Sequence, residues 1–225
     1  MIAVQSHRDA LEERMAVARL LIEETHPPAG EGGLPAGPIS REARGLVILL
    51  LFASYEHLLT GLTRDLLEVA QRLRVSNRRL QPGLRAIALA TSAKSVRDLS
   101  HKKMFSHGLP QLVRAADPGG RTCTIDTNIF PDDGSFFRRS QVSLWCSLFG
   151  VPDPHLILFR TWDSIDSIVT ERNGIAHGRL TPLEVGRNYS EPEIRQLIDD
   201  WCCDWLDFLQ DVGTRAMSRD FFRIP

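Results

Sequence analysis

Arg172 and His177 are the residues of this chain whose types and spacing make the most specific chemical offer. A guanidinium stays charged at every physiological pH and presents a planar fork of donors that matches two oxygens of a phosphate or carboxylate. An imidazole, with a reference pKa of about 6.5, exchanges a proton near neutrality and suits a general base. Five residues of α-helix separate the pair by about 7.5 Å along the axis and about 500° around it, so the two side chains project roughly 140° apart. One ligand touches both only if the arginine curls across, if the helix loosens at Gly174, or if a second subunit supplies the other half. A purely structural role stays open beside this one. Arg172 then pairs with a carboxylate such as Glu171 or Asp166 of a neighbouring subunit, and His177 caps its helix C-terminus, where a cation is favoured.

The elements that must position the pair read as helices. Trp162, Ile165, Ile168, Val169 and Ile175 supply the core side of a helix starting near His155 or Thr161 and ending at Ala176, with Gly178 leaving it and Pro182 barring its continuation. Earlier, Leu11, Met15, Ala18, Leu21 and Ile22 mark a helix over 5–25, stopped at His26-Pro27-Pro28. The Pro- and Gly-rich stretch 26–38 is a connector, and it lacks the Lys-Ser/Thr ending of a phosphate-cradling loop. Ser40 reads as the N-cap of the longest helix, running to about Leu73 with Val47–Phe52 apolar all round. An interrupted helical stretch covers 84–116 and ends at Asp117-Pro118-Gly119-Gly120; turn-forming residues dominate 122–135, and a short helix follows over 138–149. Ser190-Glu191-Pro192-Glu193 opens a final helix as a capping box, and Ile194, Ile198, Trp201, Trp205, Phe208 and Val212 give it a continuous apolar face. The expected architecture is all-α: a single helical bundle over 1–225, its core about 40–215, with one irregular insertion around 117–135.

Around Arg172 and His177 the chain reads Glu171-Arg172-Asn173-Gly174-Ile175-Ala176-His177-Gly178, and on the long helix it reads Leu50-Leu51-Phe52-Ala53-Ser54-Tyr55-Glu56-His57. The first run resembles the Arg-Asn-x-x-Ala-His-Gly signature of the HEPN superfamily. The second is similar to the early helix of the RiboL-PSP-associated and MAE-type HEPN groups of bacterial conflict systems. That resemblance implies a homodimer whose motifs meet in a shared cleft, and a metal-independent endoribonuclease acting as a toxin or antiviral effector. His177 would take the proton of an RNA 2′-hydroxyl and Arg172 would stabilise the phosphate, with Asn173 and Glu56 in support. A Glu among apolar neighbours needs a partner or a proton; either Arg172 is that partner of Glu56, or the carboxylate simply emerges at the edge of the bundle. The alternative is a non-catalytic module of the same family that binds RNA, a nucleotide or a partner protein. An antitoxin or operon partner fits either version.

Composition narrows the field. The 225 residues are 43% hydrophobic and 24% charged with a net charge of −1, which describes a folded chain with no global pull on nucleic acid or anionic lipid. Charge is nevertheless segregated: Arg64–Lys103 is basic, with Arg78, Arg79, Lys102 and Lys103 as candidate substrate contacts, whereas Glu191–Asp211 is acidic. Four cysteines show no metal-ligand spacing and are expected as buried thiols, and Asp126, Asp132 and Asp133 read as turn formers rather than cation ligands, so neither metal nor cofactor is expected. The charged first 25 residues do not resemble a signal peptide, and the longest apolar run, Leu46–Ala53, is well short of a bilayer span; a cytoplasmic protein without membrane contact is expected.

Overall fold

The apolar stripe of the first helix is what seats it. Leu11, Met15, Ala18 and Ile22 recur at helical spacing and are all buried in α1 (Val4–Thr25), which closes with the His26 N–H on the Ile22 carbonyl. The computed structural model describes residues 2–26, 37–116, 122 and 124–224; most of the 26–38 connector, the Asp117–Gly120 stop and Cys123 lie outside the described residues. Among the described residues the protein is all-α, the one β-type pairing being an isolated bridge between Leu80 and Arg223.

Helix α2 (Pro38–Arg72) is the longest, at 35 residues, and forms the axis of the bundle. It begins two residues before Ser40: Gly37 is the N-cap and Pro38 takes the first turn, where its missing N–H costs nothing. Ser40 instead turns inward and donates to the Thr25 carbonyl at 2.7 Å, tying the end of α1 to the start of α2. By length and composition α2 is apolar enough to cross a membrane, and 56% of that apolar stretch is buried inside the bundle. Two small polar residues on it receive indole N–H groups from its neighbours: Trp201 donates to Ser54 at 3.2 Å and Trp145 to Thr63 at 2.7 Å. Each pairing meets the requirement that a buried donor find an acceptor.

The basic middle of the chain forms a separate layer: α3 (Pro82–Arg97), α4 (His101–Lys103), a π-helical turn (Met104–Gly108) and α5 (Leu109–Ala116). Helix α3 packs on α6 (Arg139–Phe149), which ends where Gly150 takes a left-handed φ of 66°. The motif helix α7 (Ile165–Ala176) lies against α2, preceded by 3-10 turns at Pro154–Leu156 and Trp162–Ser164. Pro182 does more than bar continuation of α7, because it opens a short helix, α8 (Pro182–Gly186), capped by a Thr181–Glu184 box. Helix α8 crosses α2 at backbone contact: a Cβ on Gly45 would collide with the Pro182 carbonyl, and one on Gly186 with the Arg41 carbonyl. The last helix, α9 (Glu191–Arg215), carries the expected Ser190–Glu193 capping box.

A continuous apolar cluster runs from Ile2 to Phe222, so α1 and the last turn belong to the same core as 40–215. Cys146 and Cys202 are buried as expected, and burial pushes the Cys146 thiol up to about 12; Cys203 is instead exposed. Asp204, on the otherwise acidic face of α9, has no exposed surface and accepts from the Arg160 and Thr161 N–H groups, the Thr161 hydroxyl and the Arg160 guanidinium. That carboxylate is the anchor of the turn leading into α7.

Candidate functional site

Phe52 is where the motif helix and the irregular segment meet. The Arg172 guanidinium lies over the Phe52 ring at 4.3 Å, a cation–π arrangement, and Phe137 meets the same ring edge-on at 6.1 Å. Arg172 also donates to the Asn173 side-chain oxygen at 2.9 Å. Asn173 therefore steadies the guanidinium through its side chain, while its backbone carbonyl accepts from the His177 N–H at 3.1 Å.

Both carboxylates proposed as ordinary partners of Arg172 are taken. Glu171 accepts from the Tyr189 hydroxyl at 2.6 Å and from Asn188 at 3.2 Å; burial, reinforced by Glu171, raises the Tyr189 pKa and keeps it a neutral donor. Asp166 accepts from the Arg139 backbone N–H at 2.9 Å and its Nε at 3.1 Å. Glu56 does not pair with Arg172 either: among the described residues no ion pair forms between them, although both line one cavity. The expected Glu56–Arg172 bridge is thus replaced by a ring contact, with the carboxylate left at the cavity wall.

That cavity, of about 120 Å³, is lined by Phe52, Glu56, Phe130, Asp132, Phe136, Phe137, Gln141 and Arg172. Five of these, from Phe130 to Gln141, come from the segment before α6 or its first turn, and sequence reasoning had assigned that stretch no role. A signal was present in it: Phe130 and Phe136-Phe137 are aromatic residues in an otherwise polar, turn-forming run. Asp132 and Asp133 are turn formers as expected, accepting from the Gly134 and Ser135 N–H groups. No group of His, Cys, Asp and Glu among the described residues could hold a metal ion.

The segment is fastened from three sides. Tyr55 donates to the Phe137 carbonyl at 2.6 Å, and burial, helped by the charges of Glu56 and Asp166, raises its pKa well above the ordinary value, so it stays a donor. Gln141 accepts from the Phe137 N–H at 2.6 Å and donates to the Pro131 carbonyl at 3.2 Å. Arg138 reaches across to the Asp166 carbonyl and the Thr170 hydroxyl on α7. These bonds hold Phe136 and Phe137 at φ of 54° and 66°, a left-handed conformation that non-glycine residues rarely adopt and that costs about 1–3 kcal/mol each. Phe137 turns into the aromatic cluster, stacking on Phe130 at 5.0 Å, and Phe136 is left 68% exposed.

His177 stands apart from that cavity. It is the C-cap of α7, exposed, and the chain leaves the helix at Gly178 with φ of 67° while Arg179 and Leu180 N–H groups return to the Gly174 carbonyl. Within one chain Arg172 faces the aromatic cavity and His177 faces solvent one turn further on, the divergence that five-residue spacing dictates. His57 is exposed and lines no part of the cavity, as do none of Arg78, Arg79, Lys102 and Lys103. Arg78 and Arg79 sit on the 3-10 turn Asn77–Arg79 and the two lysines on α4, all exposed. A groove of about 210 Å³ between α3, α6 and Ile129–Asp132 shares Asp132 with the cavity and is otherwise apolar, with none of these basic residues in its lining. The chain matches no protein-family model, no curated protein and no solved structure.

Proposed function

We propose that this protein is a metal-independent endoribonuclease of HEPN type, a cytoplasmic toxin or antiviral effector that works as a homodimer with Arg172 and His177 at its centre. The observation that carries the reading is a half-buried guanidinium, aimed by Phe52 and Asn173, whose neighbouring carboxylates are all engaged elsewhere or held off. Such a group is preorganised for an external anion, and preorganised donors stabilise developing charge without reorganising during reaction. In the reaction His177 takes the proton of a 2′-hydroxyl as its oxygen attacks the adjacent phosphorus. The bond from phosphorus to the 5′-oxygen breaks, the leaving oxygen takes a proton from solvent while the exposed His177 imidazolium returns its own to solvent, and the products carry a 2′,3′-cyclic phosphate and a 5′-hydroxyl.

The divergence of Arg172 and His177 in one chain is answered by a two-fold axis that sets the arginine of one subunit against the histidine of its twin. An antitoxin or operon partner is consistent with such an effector. The same divergence also favours the second reading, in which one subunit binds RNA or a nucleotide through Arg172 and cuts nothing. Incubating the full chain and its His177→Ala variant with RNA in chelator separates the two. Cyclic-phosphate products from the wild type alone support the nuclease; salt-sensitive binding without product supports the binder; equal cutting by both proteins rejects His177 as the base.

A further inference from the structure

The cavity beside Arg172 has a chemistry of its own that phosphate binding does not use. Its wall carries two carboxylates, Glu56 and Asp132, against one guanidinium, so beyond the donors Arg172 can give a phosphate the interior is acceptor-rich and suits a group that brings donors of its own. Gln141 has both ends of its amide occupied, and one Asp132 oxygen takes the Gly134 N–H. Glu56, half-buried, has no side-chain hydrogen-bond or ion-pair partner among the described residues and offers both oxygens. The remaining wall is aromatic, and Phe136 is kept at a costly φ of 54° with its ring largely exposed. At about 120 Å³ the space is below the roughly 300–1,000 Å³ of ordinary small-molecule sites, so it admits one flat ring system while the rest of a ligand stays outside.

We propose that this cavity is a guanine-reading subsite, a proposal that rests on the reading of RNA as the ligand. Guanine alone among the four bases presents two adjacent donors, N1–H and N2–H, on its Watson–Crick edge, and a carboxylate accepts both. Adenine and cytosine present a single amino donor beside an acceptor, which would face the Glu56 oxygens. Phe136 supplies the stacking face, as aromatic side chains do for unstacked bases of single-stranded RNA. The sugar-phosphate then lies outside, where Arg172 reaches a phosphate oxygen from the cavity rim. Glu56 becomes the specificity residue, and Arg172 the link between base recognition and the scissile phosphate.

The test is titration of the full-length chain with the four nucleoside 3′-monophosphates, alongside mapping of the ends produced from a mixed-sequence RNA. Wild-type protein is expected to bind the guanosine nucleotide at least about tenfold more tightly than the other three. In Glu56→Gln, whose amide sets a donor against guanine's donors, the preference falls to within about twofold. Phe136→Ala, which removes an exposed ring and leaves the fold alone, weakens all four by about tenfold while the ratio between them persists. Equal binding of the four nucleotides, binding of none at millimolar concentration, or an unchanged preference in Glu56→Gln overturns the proposal. Guanosine preference without any cleavage would sink the nuclease reading and keep this subsite, whereas cleavage without base preference would do the reverse.

Discussion

Two arginines in this bundle are removed from water to different ends. Arg44 on α2 is 6% exposed and bonded within the bundle: its Nε donates to the Gly186 carbonyl at 3.1 Å and its Nη1 to the His26 Nε2 at 3.2 Å. Arg172 on α7 is only partly covered, and one amide oxygen and one ring face are its partners. The first joins α1, α2 and α8 as a fixed strut; the second is oriented and still has donors to give. Arginine burial by itself therefore says little about function, and whether the guanidinium lines a cavity, as Arg172 does, says more.

Breaking each side of this contrast gives different readouts. The largest effect expected is on turnover: His177→Ala or Arg172→Ala lowers RNA cleavage by about 10²–10⁴-fold, read as initial rates on a labelled RNA, with the melting temperature nearly unchanged. Mixing those two inactive variants is the sharper form. If each site joins an arginine and a histidine from different subunits, random pairing restores up to roughly a quarter of wild-type activity. No recovery on mixing would mean that both groups act from one subunit.

On the structural side the order is set by burial. Asp204→Ala should cost about 2–4 kcal/mol in urea unfolding, because it leaves the buried Thr161 N–H and hydroxyl without their acceptor, while the exposed Arg160 keeps water and Asp207. Arg44→Ala should cost about 1–3 kcal/mol by leaving the His26 and Gly186 acceptors unpaired, while folded protein keeps its cleavage rate per molecule. An Arg44→Ala protein that is stable but inactive would undo the contrast between the two arginines.

The smallest effect is a pH dependence. His26 donates from Nδ1 to the Ile22 carbonyl and accepts at Nε2 from Arg44, so the fold holds it neutral; desolvation lowers its pKa below the ordinary value, and the Arg44 charge adds to that. The unfolded chain takes up this proton near pH 6.5 and the folded chain only below that. The contribution to stability is thus complete above about pH 6.5 and is lost as pH falls from there toward the lower folded value. Unfolding midpoints measured between pH 7.5 and 5 should fall less steeply in His26→Asn than in the wild type.

Most of the helical framework was legible in the amino-acid sequence because periodicity and caps are local. The Ser190–Glu193 box and the Leu11–Ile22 stripe each specify an element without reference to the rest of the chain. Ser40 shows the limit: its type suits a cap, yet the competing use as a donor to Thr25 is decided by where α1 ends, and Pro38 moves the helix start earlier. The candidate site was legible only in its polar residues. Arg172 and His177 stand out by spacing, and Glu56 by its apolar company, but the ring that aims Arg172 lies 120 positions earlier at Phe52. Phe136 and Phe137 were hidden by their surroundings, since turn-forming neighbours describe a backbone and not what the side chains enclose.

The backbone contact of Gly45 with Pro182, and of Gly186 with Arg41, sets the two walls of the cavity apart in how they are held. With α8 pressed onto α2 at these two glycines, Phe52 and Glu56 stand on a helix clasped at its start. The opposite wall hangs on a tyrosine hydroxyl, a glutamine amide and an arginine fork. The two walls thus differ in build: one is a helix gripped by its neighbours, the other a strap moored by three side chains.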